Sequence, residues 1–258
     1  MKYLLLIACL LVCCAISANT IHVGPAKRFK SVTAGLYAAL AGDTVLVHAG
    51  HYKEKNLLVS KAVVLKGINY PVLDGENKYE IISINASGVV IEGFIIAHSG
   101  ISSLEDLSGI KTYECRDVII RGNRLEDTFF GIFIQGGINC RIENNQLRAL
   151  RAEEQPSGTG LHCWKSDNLQ IIGNTVSGHR DGIYFEFVKN SIIWRNTASN
   201  NLRYGLHFMF SNDDTYVGNI FSNNGSGVSV MYSNRIKMFS NYFEENIFYN
   251  HNEGANQR

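Results

Sequence analysis

Apolar residues in this chain fall in short alternating runs, and the runs recur with a fixed period. Gly109, Gly131, Gly160, Gly182, Gly205 and Gly227 are each followed by Ile, Leu or Val, at intervals of 22, 29, 22, 23 and 22 residues. Fourteen residues after each glycine stands an asparagine: Asn123, Asn145, Asn174, Asn196, Asn219 and Asn241. Counted from the glycine, positions +1 and +3 are almost wholly apolar: Ile110/Thr112, Ile132/Ile134, Leu161/Cys163, Ile183/Phe185, Leu206/Phe208 and Val228/Val230. Two more apolar columns follow at +11 (Ile120, Ile142, Ile171, Ile193, Tyr216, Met238) and at +16 (Leu125, Leu147, Val176, Ala198, Phe221, Phe243). Alternation with period two predicts short strands with one face turned inward. Strands this short, returning once per repeat, cannot bury those faces as hairpins, whereas stacked coils can. The pattern therefore predicts an all-β fold, a right-handed parallel β-helix, with regular repeats over residues 109–246.

Each column has an expected place in that scaffold. The asparagines should hold left-handed corners and stack their amides from coil to coil. The glycines should mark another tight bend. The single long interval carries RAEEQPS, which reads as a loop added near Ala149–Ser157. Upstream, Val63–Gly67 and Val89–Gly93 read as earlier, less regular coils. Ser31–Leu40 has helical spacing and precedes a strand pattern at Thr44–Val47, so a short helix should cover the first coil's open edge. The resulting division is a cap at residues 19–60 and coils at 61–258. Beyond Asn246 the chain is polar, with neither another coil nor a cap. The expectation is a chain cut short at its C-terminus, with Val228, Val230, Met238 and Phe243 near an open apolar end that promotes self-association.

Composition adds a compartment and removes some partners. One lysine, an apolar run from Tyr3 to Ile16 and the small residues Ser17 and Ala18 read as a secretory signal peptide over residues 1–18, which implies export. Cys9, Cys13 and Cys14 would leave with it. The remaining Cys115, Cys140 and Cys163 are too few and too widely spaced for a disulfide framework or a zinc site. A net charge of +1 gives no electrostatic case for nucleic acid.

The candidate chemistry lies on the outward positions of the +1 to +4 strand. The +2 column reads Lys111, Phe133, His162, Tyr184, His207, Ser229, and the +4 column reads Tyr113, Gln135, Trp164, Glu186, Met209, Met231. At a strand spacing of about 4.8 Å these form one ladder on a flat sheet. Aromatics, imidazoles, thioethers and a carboxylate are an unusual choice for a solvated face. Three uses remain open on the residues alone: cover by a partner protein or loop, stacking on sugar rings, or binding of copper by soft ligands. For copper the candidate ligands are His207, Met209, Met231, Glu186 and His162.

These residues lie in stretches that resemble a known family. Asp181–Phe187 (DGIYFEF), Arg203–Asp213 (RYGLHFMFSND) and Gly227–Ser233 (GVSVMYS) resemble NosD, the periplasmic maturation protein of nitrous oxide reductase, and His98–Ile110 also fits. The resemblance implies a β-helix and a non-enzymatic role. It implies work with an ABC transporter membrane subunit, its ATPase and a copper chaperone lipoprotein, to load the copper-sulfide site of nitrous oxide reductase. The competing reading is a carbohydrate-binding or polysaccharide-degrading β-helix protein. It is weakened because Glu186 has no second carboxylate at a matching outward position.

Overall fold

A computed structural model describes residues 18–102, 104–149 and 158–247. Nearly all of the expected signal peptide, the loop added after Ala149 and the chain past residue 247 lie outside these residues. The strands form three parallel sheets of ten, eight and nine strands, and successive strands of the chain pass from sheet to sheet in turn. This is a parallel β-solenoid. Registers match the repeat: Ile183 pairs with Leu206, and Phe185 with Phe208. The +11 column lies in the first sheet, the +1 and +3 columns in the second and the +16 column in the third. Their side chains form the core, and Ile171, Val176, Ile183, Phe185, Ile193, Leu206, Phe208 and Phe221 are fully buried. In the last described coil the same columns are open: Val230, Met238 and Phe243 are 48%, 56% and 44% exposed.

The solenoid begins inside the segment expected to be a cap. Thr44–Val47, His51–Tyr52 and Leu57–Val59 already supply one strand to each sheet. The expected helix spans Val32–Ala38, with Ser31 as its N-cap. It packs on the first strands through Val32, Gly35 and Leu36, all buried; a Cβ on Gly35 would stand 2.4 Å from Val23. Both helix ends are tied to the first coil. Glu54 accepts hydrogen bonds from the backbone N–H of Val32 and Thr33. Lys61 Nζ donates to the carbonyls of Leu36, Tyr37 and Ala39. A carboxylate at the N-terminus and an ammonium at the C-terminus suit the helix dipole.

Two columns work differently from expectation. The asparagines do form a ladder: Asn123, Asn145, Asn174, Asn196 and Asn219 each donate through Nδ2 to the Oδ1 of the next, at 2.9–3.1 Å. They do not hold the left-handed corner. That conformation belongs to the preceding residue, namely Gly122, Asn144, Gly173, Arg195, Gly218 and Ser240. The ladder asparagines turn inward instead. Each amide also bonds a backbone carbonyl of an earlier strand, as Asn196 Nδ2 does with Ile171 O at 2.8 Å. The repeat glycines hold no left-handed corner either: none has positive φ, and Gly182 lies within the strand Asp181–Glu186. Their role is close approach. A Cβ on Gly131 would sit 2.3 Å from the carbonyl oxygen of Gly160 and 2.6 Å from Leu147. A second ladder, Asn201–Asn224–Asn246, runs through the last coils.

Two predictions follow from the buried polar groups. Asn196→Ala deprives the N–H and amide of Asn174 of their acceptor and Ile171 O of a donor. At roughly 1–3 kcal/mol per stranded group, a loss of about 3 kcal/mol is expected from urea unfolding, and Asn196→Asp should cost a similar amount because it cannot donate to Ile171. The second concerns Asp214, fully buried after the Tyr204–Met209 strand and accepting from the N–H of Ser191 at 2.8 Å. Burial pushes its carboxyl up to about 7. A raised folded-state pKa means that the folded chain holds a proton the unfolded chain has lost. Stability from this group is therefore full below the unfolded value near 4 and falls as pH rises toward 7. Asp214→Asn should raise the thermal midpoint at pH 8 and flatten its dependence on pH between 4 and 7.

Candidate functional site

The sheet that carries the candidate residues includes Phe130–Gln135, Leu161–Trp164, Asp181–Glu186, Tyr204–Met209 and Ser226–Met231 as successive neighbours. Its +2 column points away from the core, as alternation requires, but it is not solvated. His162 and His207 are only 9% and 4% exposed, and Lys111 and Phe133 are buried as well. The cause is stacking at the coil spacing. Phe133, His162, Tyr184 and His207 form a continuous pile, with ring centroids 4.4, 4.8 and 4.6 Å apart. The Lys111 ammonium caps one end, 4.7 Å from the Phe133 ring. Phe130 and Tyr204 close the flank against His162 and His207. The +4 column stays partly open, with Trp164, Glu186, Met209 and Met231 all half-buried.

Register divides the five expected ligands. Glu186 pairs with Met209, and Met209 with Met231, so three donors stand in one column on consecutive coils. Tyr184 Oη donates to Met209 Sδ at 3.4 Å. His162 joins through Glu186, its Nε2 lying 3.6 Å from Oε2. His162 holds the Glu186 carboxyl below its ordinary value against the opposing effect of burial. Burial, with Glu186 and Asp181 close by, pushes the Tyr184 phenol up to about 12, so it acts as a neutral donor. His207 turns elsewhere: its Nδ1 lies 3.5 Å from Asp181 Oδ2, beneath the surface.

Asp181 was not among the expected residues. It is 1% exposed and is approached by Arg180 Nε at 3.9 Å and Arg203 Nε at 3.8 Å. It occupies the position before the repeat glycine, a column that reads Ser108, Phe130, Thr159, Asp181, Tyr204, Ser226. A charged residue in a column otherwise aromatic or hydroxylic is the signal that could have drawn notice. Cys115, Cys140 and Cys163 are free and buried, and burial pushes the Cys140 thiol up to about 11, so none offers a thiolate to the surface. Among the described residues, no group of three or more His, Cys, Asp or Glu could hold a metal ion.

Next to the methionines runs an aromatic corner. Phe187, Phe210 and Tyr232 stack at 5.0 and 5.1 Å, all exposed and all with positive φ. Bulky side chains are uncommon in that backbone region, and three in succession give the methionine column an apolar border.

Residues 148–256 match the family described as "Periplasmic copper-binding protein (NosD)". A curated Pseudomonas aeruginosa protein, "Probable ABC transporter binding protein NosD", is 25% identical over 136 residues, 52% of this chain and 32% of the relative. The chain thus spans about a third of that relative's length. Among solved structures, the surface adhesin PfbA of Streptococcus pneumoniae superposes with a TM-score of 0.61 at 15% identity, over 74% of this chain and 57% of its own. An alginate lyase from Paenibacillus gives 0.54 at 14% identity, over 88% and 99%. Pectate lyase Pel9A gives 0.54 at 13% identity, over 87% and 78%. At these identities the likeness is one of fold alone.

The Asp181 cluster yields a prediction of its own. Asp181→Asn removes the anion facing His207, Arg180 and Arg203, and a loss of roughly 2 kcal/mol is expected. Adding His207→Gln should restore part of it, with a coupling of at least about 0.5 kcal/mol in a double-mutant cycle followed by urea unfolding.

Proposed function

Since the chain is NosD-like over residues 148–256 and folds as a parallel β-helix, we propose that it is a periplasmic accessory protein that receives and passes on copper(I) for maturation of nitrous oxide reductase. The observation that carries this reading is the column Glu186, Met209, Met231, in register on three coils. Copper is cargo here. The two thioethers are soft donors that suit copper(I), the Glu186 carboxylate beside them is a harder one, and the set is sparser than the one zinc prefers. His162 steadies Glu186, while His207 supports the column from beneath by stacking on Tyr184.

A sparse, half-open donor set favours transfer over storage, which fits a relay position between a copper chaperone lipoprotein and nitrous oxide reductase. The name of the Pseudomonas relative supports association with an ABC transporter, and the membrane subunit with its ATPase is the partner proposed. No described helix is long and apolar enough to cross a membrane. An accessory role rather than catalysis agrees with the carboxylates. Asp213 is held by Arg235, Asp214 is buried, and Glu186 stands without a second acid in its column.

Met209→Leu with Met231→Leu keeps volume and apolarity, so the coil should remain folded. The double variant should lose at least tenfold in copper(I) affinity in competition with a chromogenic chelator, and Tyr184→Phe should change it little. Unchanged affinity in a folded double variant would remove these methionines from the path of the metal.

A further inference from the structure

We propose that His22 and His48 form a separate metal site, a cis pair of imidazole ligands for copper(II), at the other end of the solenoid from the methionine column. His22 Nδ1 and His48 Nε2 lie 2.9 Å apart. The rings are tilted by 31°, with centroids 5.2 Å apart, so the contact is made by nitrogen atoms and not by ring faces. His22 is exposed and His48 half-buried, which leaves the pair open to an incoming ion and its water ligands.

Backbone on both sides sets the spacing. His22 lies in Thr20–Val23, paired in register with Thr44–Val47, and His48 follows the second strand directly. The N–H of His48 donates to Val23 O at 2.9 Å, and Tyr52 Oη donates to His48 O at 2.8 Å. A Cβ on Gly24 would stand 3.1 Å from His48 Cβ, so the imidazole is seated against that glycine. The solenoid does not require an imidazole here. Along the His22 column the following coils carry Leu46, Lys66 and Glu92.

The separation is compatible with a cis pair on a single ion. Two nitrogens each about 2.0–2.1 Å from a metal are about 2.9 Å apart when they subtend a right angle, and about 3.4 Å apart at a tetrahedral angle. A right angle belongs to tetragonal ions, copper(II) or nickel(II), and copper(II) binds the same nitrogen donors more tightly. The alternative is an N–H···N hydrogen bond between neutral imidazoles, worth about 1 kcal/mol or less at an exposed site. This site shares no residue with Glu186, Met209 and Met231, and its argument stands whether or not that column carries copper(I).

The test is titration of the purified, metal-stripped chain with copper(II) in a non-coordinating buffer at pH 7.5, read by electron paramagnetic resonance. One equivalent should give a tetragonal signal with splitting from two nitrogens. His22→Gln and His48→Gln should each abolish that splitting and weaken uptake at least tenfold, with the far-UV spectrum and thermal midpoint unchanged. Met209→Leu/Met231→Leu should retain it. A signal lost in His22→Gln but kept in His48→Gln would assign the ion to the chain around His22 alone and overturn the pair. Uptake equal to that of the His22→Gln/His48→Gln double variant would leave the contact as a hydrogen bond and nothing more.

Discussion

Everything in this molecule depends on coil lying over coil in one register, and the buried asparagine ladder is where that register is fixed. An amide that must donate to the amide of the next coil and also to a carbonyl of an earlier strand admits no slip. A shift by one residue would strand both groups away from water, at a cost that apolar packing could not return. The repeat glycines impose the same condition by contact, since the carbonyl of the following coil occupies the space where a side chain would be. Hydrogen bonding and close packing thus specify a single alignment along the regular coils from Asn123 onward.

The exterior inherits that alignment. Once coils are in register, equivalent side chains meet at the strand spacing, which is close to the stacking distance of aromatic rings. The pile from Phe133 to His207 exists because the backbone has already placed those rings one above another. The same spacing sets Met209 over Met231 beside Glu186. The copper reading needs donors from several coils held in a line without any loop to gather them, and a solenoid supplies this without further adaptation. Burial of the +2 ring pile leaves the +4 column as the chemically available face.

The inward columns were legible because a period of 22–23 residues projects every coil onto the same few positions, and burial of those positions follows from alternation. The asparagine ladder was legible for the same reason, but its mechanism was not. The side chain must reach inward to a carbonyl such as Ile171 O, so the left-handed turn passes to the residue before it. Alternation gives the direction of a side chain and not its exposure. His207 therefore points outward as expected and is still buried, under Tyr184 and Tyr204. Asp181 escaped notice because it precedes the glycine from which positions were counted. The His22–His48 contact joins residues in the irregular first coil, where no repeat relates one to the other.

A ladder that forbids slip also governs how such a chain can change in length. Insertions and deletions are tolerated only in whole turns, or as excursions that leave and rejoin the wall at one corner. Across the interval of 29 residues between Gly131 and Gly160, Asn145 and Asn174 still join directly, at 3.0 Å. The register of the wall is kept on either side of it, with Gln146 paired to Thr175 and Leu147 to Val176. Corners are therefore where a lineage of such proteins can try new sequence freely, and the wall itself can grow or shrink only by the turn.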